Sequence, residues 1–349
     1  MKTSGVVGGV CMAHAPQFFT LPETEDKATV ARVRALAEEN GRRLRALTPD
    51  VTVAVANDHA NQFLLHCVAP FVLHRGAEAV GRFAGREFRW PVAHELSTAL
   101  LRHLQAEGFD PAFSSDAALD YAFGIPLTFL GHQGPIVPLY VNAYVPPQPP
   151  IERCYRLGQA LARGLAAAGV RAVVVASGGL SHFPGTERYA HPDLDFDRKL
   201  MAELETGNLR WLLSLDDRRL DRTGNIELRC WAVAAGMLGE RKPDLASLEP
   251  SWHHNYATLA WWREPEAPAE APHYPAVAPE RVALSRALHA LATDPAARER
   301  YLADPAGYAD AQALAPEERT ALLALTEEGL RALGVHPFLP FMARLQLDK

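Results

Sequence analysis

Three apolar runs that each end on a histidine constrain the fold more than any other feature of the chain. Residues 5–10 lead into Met12-Ala13-His14, and residues 51–56 into Asn57-Asp58-His59. Residues 172–176 lead into Ser177-Gly178-Gly179-Leu180-Ser181-His182. Short β-branched runs of this kind read as buried strands. Helical patterns over 28–47 and 152–168 precede the second and third runs, the alternation expected of a sheet covered by helices. A fourth strand is expected over 135–141, following Gly131-His132. The predicted fold is α/β, a central and mostly buried sheet flanked by helices.

A boundary follows at 264–280, where Pro265, Pro268, Pro272, Pro275 and Pro279 stand among alanines and glutamates. That composition favours an extended linker. Beyond it the pattern is helical only, over 282–291, 296–302, 316–325 and 327–333, with Gly334 as a C-cap. The expected organisation is an α/β domain over 1–263, a linker over 264–280 and a small all-α module over 281–349. A module of that size buries little core by itself.

Several functional classes are excluded early. The chain has 35 basic and 41 acidic side chains and a formal charge of −6, which suits no phosphate backbone, so nucleic acid is not an expected partner. Cys11, Cys67, Cys154 and Cys230 lie far apart, with neither a disulfide framework nor a thiolate zinc spacing. The uncharged run 121–151 contains Pro146-Pro147 and Pro149-Pro150, which no lipid-facing helix would carry. It reads as a buried strand region followed by a loop, and no membrane partner is expected. The glycine-rich start imitates a secretory signal only loosely, so the expected location is cytoplasmic.

The chemistry lies in where the histidines fall. His14, His59 and His182 each stand just past the carboxyl end of a predicted strand, the edge at which open α/β sheets bind ligands. Three imidazoles at one edge point to a metal or acid–base site. A carboxylate partner is needed, and Asp58 points away from its neighbour His59 on extended backbone. Glu227 is the better candidate, in the first turn of a helix that Asn225 would cap. His14, His59 and Glu227 then form a set of two histidines and one carboxylate. Such a set suits Fe(II) with open positions, and zinc with an activated water is the competitor.

Met12-Ala13-His14-Ala15-Pro16, Asn57-Asp58-His59, Gly179-Leu180-Ser181-His182-Phe183 and Gly224-Asn225-Ile226-Glu227 occur in that order within residues 5–262. Together they make the chain similar to the class III extradiol ring-cleaving dioxygenases, typified by the β subunit of protocatechuate 4,5-dioxygenase. The segment from Val282 onward, ending in Leu333-Gly334-Val335-His336-Pro337, resembles the small α subunit of that enzyme. The resemblance implies a fused β–α protein, as in gallate dioxygenase-like relatives, and a homodimer. It further implies that His14, His59 and Glu227 hold a ferrous ion, that His182 is the catalytic acid–base, and that His132 lies near the substrate. A catecholic or gallate-like aromatic acid and O₂ are the implied substrates.

Asn57 and Ser181 are candidate orienting groups, since ligands and acid–base residues normally have partners behind them. Asp58 would accept a ligand N–H or cap a turn. His254 and Asn255, in Trp252-His253-His254-Asn255-Tyr256, offer polar contacts to a ring substituent. Two other readings keep the same residues: a zinc-dependent hydrolase or non-oxygenase, and a non-catalytic protein that uses the cleft for binding. The second gives no use to an acid–base group beside open metal positions.

Overall fold

The structure is a computed structural model that describes residues 4–116, 118–263, 274 and 276–348. It divides into two compact units, Met1–Pro265 and Glu266–Lys349. Most of the proline-rich stretch at 264–280 lies outside the described residues.

Among the described residues the first unit holds ten strands: β1 (Gly5–Met12), β2 (Val51–Ala56), β3 (Phe71–His74), β4 (Glu78–Phe83), β5 (Arg86–Pro91), β6 (Ala112–Ser114), β7 (Ile136–Val141), β8 (Arg171–Ser177), β9 (Leu245–Glu249) and β10 (Tyr256–Trp261). Eight of them form one sheet in the order β6-β3-β7-β2-β8-β1-β10-β9, and β4 pairs with β5 apart from it. The four strands expected from the sequence are the four central neighbours, β7, β2, β8 and β1, and all run parallel. Their carboxyl ends therefore share one edge, with Met12 opposite Ser177 and Ala56 opposite Tyr140. Antiparallel pairings flank them on both sides.

The helices of this unit are α1 (Gln17–Thr20), α2 (Lys27–Ala46), α3 (His94–Ala106), α4 (Tyr121–Phe129), α5 (Ile151–Ala167), α6 (Leu194–Glu205), α7 (Asp217–Thr223) and α8 (Leu228–Leu238). Strands β2, β7 and β8 are buried along their whole length, as expected of parallel strands covered on both faces. Alternate side chains feed two cores. Val53, Val55, Val174 and Ala176 pack with α5 and α8, while Val10, Met12, Ala54 and Val175 pack with α2 and α4.

Two expectations are corrected. The first part of the uncharged run 121–151 is the helix α4, with Pro126 inside it and Asp120 capping its amino end. It carries no charge because it is buried nearly all round, and a buried helix and a buried strand look alike in an apolar run. Asn225 does not cap α8. Glu227 itself occupies the N-cap position, and Asn225 donates instead to Asp197 and to the Thr223 carbonyl.

Among its described residues the regular structure of the second unit is helical: α9 (Val282–Thr293), α10 (Pro295–Ala303), α11 (Pro305–Asp310), α12 (Pro316–Ala324), α13 (Glu327–Ala332) and α14 (Phe338–Leu347). Leu284, Leu288, Leu291, Leu322 and Leu330 form its core, with the Tyr308 hydroxyl donating to the Ala287 carbonyl. Gly334, at φ +73°, follows the last turn of α13 in the left-handed conformation that glycine adopts without strain. The short α11 and the proline-flanked α14 were not anticipated from the sequence. No described helix is long and apolar enough to cross a membrane.

Helices α5 and α8 meet backbone to backbone. A β-carbon on Gly158 would stand 2.0 Å from the Val233 carbonyl oxygen, and one on Gly236 would stand 1.9 Å from that of Tyr155. Gly158→Ala or Gly236→Ala must push the two helices apart, so each is expected to cost about 1–3 kcal/mol. Denaturant titration checks this, and an unchanged midpoint would show that the helices can separate freely.

Candidate metal centre and active site

The carboxyl edge of the sheet gathers the expected groups. His14 follows β1, His59 follows β2, and His182 ends the turn after β8. Glu227 enters from the amino end of α8 with no solvent exposure. One ligand atom from each of His14, His59 and Glu227 lies within 4.8 Å of the others. Glu227 Oε1 is 3.2 Å from His14 Nε2, 3.5 Å from His59 Nε2 and 3.8 Å from His182 Nε2.

The outward-facing nitrogens show which nitrogen of each ring turns to the centre. His59 Nδ1 lies 2.9 Å from Asp120 Oδ1, and the His59 backbone N–H donates to Asp120 Oδ2. A carboxylate there accepts the Nδ1 proton and leaves a lone pair on Nε2. His14 Nδ1 is 2.7 Å from Ser177 Oγ, so its Nε2 likewise turns inward. His182 Nδ1 donates to the Leu180 carbonyl at 2.8 Å, which again leaves Nε2 as an acceptor. A carboxylate surrounded by nitrogen lone pairs is an arrangement of acceptors, and it fits a cation at its centre.

Charge balance agrees. Burial disfavours an imidazolium at His59, yet Asp120 and Glu227 hold its pKa up at about 9, so near neutrality a proton on Nε2 occupies the place that a metal ion would take. Burial likewise opposes ionisation of Glu227, but the surrounding imidazoles keep its carboxyl well below the usual range. These carboxylates call for positive charge between them. The fit to a divalent ion held by two histidines and one carboxylate is thus a property of the donor set.

His182 differs from the ligands. Burial lowers its pKa, with Glu227 opposing the shift, and its ring lies 4.2 Å from that of His254 at an angle of 4°. The Tyr144 hydroxyl sits between centres, 3.1 Å from His182 Nε2 and 3.0 Å from Glu227 Oε1. Tyr121 stacks on His59 at 4.4 Å. Pro16, Gln17 and Tyr189 complete a cavity of about 100 Å³ over the cluster. A cavity of ~150 Å³ holds benzene, so this space is about two-thirds of what one aromatic ring needs, and a ring over the cluster also draws on the adjoining space past Tyr144.

A second buried carboxylate holds the frame. Asp197 of α6 accepts from the Ser181 backbone N–H and hydroxyl, from Asn225 and from Asn255, at 2.6 to 3.1 Å. It thereby ties together the turns that carry His182, Glu227 and His254. Asn57 lies 3.2 Å from both His59 Nε2 and Glu227 Oε1. Gly179 donates its N–H to Glu227 Oε2 at 2.6 Å. Its missing side chain also makes room for His254, whose Nε2 would stand 1.6 Å from a β-carbon there.

The structure does not bring every expected residue to the site. His132 precedes β7, so it lies at the amino edge of the sheet, with Nδ1 3.5 Å from Thr52 Oγ1 and its carbonyl accepting from Trp90. Thr52 is the second residue of β2, ~13 Å along the strand from Ala56 at 3.3 Å per residue, and His59 lies beyond that far end. Burial pushes His132 down to a pKa of about 4. Asp58 accepts backbone N–H groups of Asn61, Gln62 and Phe63, so it caps a turn, and Asp120 is the carboxylate that meets His59.

Tyr144, Asp120, Ser177 and Asp197 were missed. Tyr144 carries the same signal as the histidines, a polar side chain just past a central strand. Asp120 is marked only by its place before a helix.

The catalytic LigB subunit of aromatic ring-opening dioxygenase is a family whose model matches residues 8–260. The LigA subunit of the aromatic-ring-opening dioxygenase LigAB matches residues 284–345. A 2,3-dihydroxyphenylpropionate/2,3-dihydroxicinnamic acid 1,2-dioxygenase of Klebsiella pneumoniae (strain 342) is 31% identical over 253 residues, covering 71% of this chain and 76% of that protein. A protein of the same name from Escherichia coli (strain K12 / DH10B) is 30% identical over the same shares. Another, from Cupriavidus necator, is 28% identical over 303 residues, 71% of this chain and 96% of its own length. The chain belongs to the aromatic ring-opening dioxygenases, as a ring-cleaving extradiol enzyme whose catalytic-subunit region is followed by one that matches the small subunit.

Proposed function

We propose that His14, His59 and Glu227 hold a ferrous ion and that His182 moves the protons of an extradiol cleavage of a catechol by O₂. The observation that carries this reading is the convergence of the two ligand imidazoles on a wholly buried carboxylate, with a third Nε2 lone pair 3.8 Å away. The substrates named for the relatives are dihydroxyphenyl acids, which supports a ring bearing adjacent hydroxyls. In this set a ferrous ion supplies Lewis acidity toward the two hydroxyl oxygens and one-electron exchange with O₂.

The chain's own residues do the rest. His182 Nε2 carries no proton while Nδ1 donates to the Leu180 carbonyl, so it is ready to take one from a catechol hydroxyl. It can return that proton to the oxygen released as the ring opens. The parallel stack with His254 fixes the plane of the His182 imidazole, and the Tyr144 hydroxyl, donating to Glu227, leaves its oxygen facing Nε2 as an acceptor once His182 has taken a proton. Asp120 sets the tautomer of His59, and Ser177 holds the orientation of the His14 ring. In this reading residues 1–263 are the catalytic domain, 264–280 the linker and 281–349 a small-subunit-like module. The assembly is a homodimer, which sedimentation velocity checks against a monomer.

His182→Ala should keep one iron per chain and lose about 10²–10⁴-fold in turnover. Loss of the iron would make His182 a ligand instead. Glu227→Ala should abolish stoichiometric iron, and undiminished iron content would remove Glu227 from the ligand set. Asp120→Asn should weaken metal binding by about 10–100-fold, read by competition with a chelator. Restoration of activity by zinc in place of iron would favour hydrolytic chemistry.

A further inference from the structure

A second cavity opens beside the first. It measures about 410 Å³ and shares His59, Tyr144 and Pro184 with the space over the metal cluster. Its wall is mainly apolar, with Phe63, Val68, Ala69, Val72, Val141 and Val145 among its side chains. A ring placed over His14, His59 and Glu227 therefore has an apolar chamber next to it, reached past Tyr144.

The electrostatics of that chamber narrow what it can take. No lysine or arginine lines it, and its charged group besides His59 is Asp58. The Asp58 carboxylate is engaged by the backbone N–H groups of its own turn, so it offers negative charge and no donor to a ligand. Asn142, whose amide already donates to the Val145 carbonyl, and the tyrosine hydroxyls are the neutral polar groups of the wall, so an anionic substituent would lose its hydration there without gaining a cationic partner, at a cost in free energy. The outer wall is the segment after β2, where Leu64 and Leu65 are 57% and 68% exposed and Leu65 faces the chamber. Apolar side chains at the mouth suit an apolar entrant.

We propose that this chamber is a subsite for an uncharged, apolar substituent on the ring diol. It sets the specificity of the chain toward alkyl- or aryl-substituted catechols and away from the carboxylated ones for which the relatives are named. The proposal rests on the dioxygenase reading for the position of the ring. Its volume exceeds the ~150 Å³ that holds benzene, so a short alkyl chain or a second ring fits.

The test is anaerobic equilibrium binding to the iron-loaded full-length protein, where no turnover occurs. The probes are catechol, 3- and 4-propylcatechol, and the corresponding carboxyethyl catechols. Burial of three carbons should make the better propylcatechol at least about tenfold tighter than catechol. It should also bind more tightly than either carboxyethyl analogue. Val68→Trp, which narrows the chamber, should lower the ratio of propylcatechol to catechol affinity at least several-fold. A carboxyethyl catechol that binds more tightly than both propylcatechols would overturn the proposal. So would equal affinities for propylcatechol and catechol, or a ratio that Val68→Trp leaves intact. The series on the unaltered protein decides the matter even if the variant does not fold. Catechol binding with no gain from the propyl group refutes the subsite alone, whereas no binding of any diol refutes the dioxygenase reading as well.

Discussion

Glu227 is a carboxylate with no solvent exposure, and a buried anion must be compensated by donors or cations, since its desolvation costs several kcal/mol. The catalytic unit is arranged around that requirement. Gly179 N–H, Asn57 and Tyr144 donate to its oxygens, and the imidazoles of His14 and His59 face it with lone pairs that only a cation can satisfy together. Four parallel strands bring these groups to one edge. Helix α8 brings the carboxylate to meet them, held against α5 by two glycines that let the backbones touch. A change at that helix crossing, far from the chemistry, would therefore move a ligand.

A second buried carboxylate performs a mechanical task. Asp197 joins the turns at Ser181, Asn225 and Asn255, so the acid–base residue, the ligand carboxylate and the stacked His254 move as one body. Its pKa is raised by burial, against the pull of its hydrogen-bond donors. The positions of His182 relative to the ligands thus depend on a residue that touches neither metal nor ring. Hydrogen bonds of this kind, buried and mutually satisfied, are the ones that specify a single geometry.

Much of this was legible in the chain. The four central strands, the histidines at three of their ends and Glu227 as the carboxylate all follow from strand patterning and the chemistry of donor sets. His132 misled because it precedes its strand, and the edge a residue reaches depends on whether it precedes or follows a parallel strand. Tyr144 satisfied that rule too, but a tyrosine past a strand is equally an ordinary packing residue, so nothing in the sequence alone set it apart. Asp120 and Asp197 were invisible for a different reason: each meets its partner across more than ten residues of sequence, and pairings of that separation are set by packing rather than local pattern. The start of the uncharged run 121–151 read as a strand because a fully buried helix has no polar face to reveal its period.

The central claim is that this edge of the sheet carries a ferrous ion and inserts both atoms of O₂ into a ring diol. Isotopic labelling tests it most directly. Iron-loaded protein turning over a catechol under ¹⁸O₂ should yield a ring-opened product in which both oxygen atoms of O₂ are recovered, allowing for exchange of any aldehyde oxygen with water. A product that carries label from water alone, or one whose ring stays closed, would contradict the account.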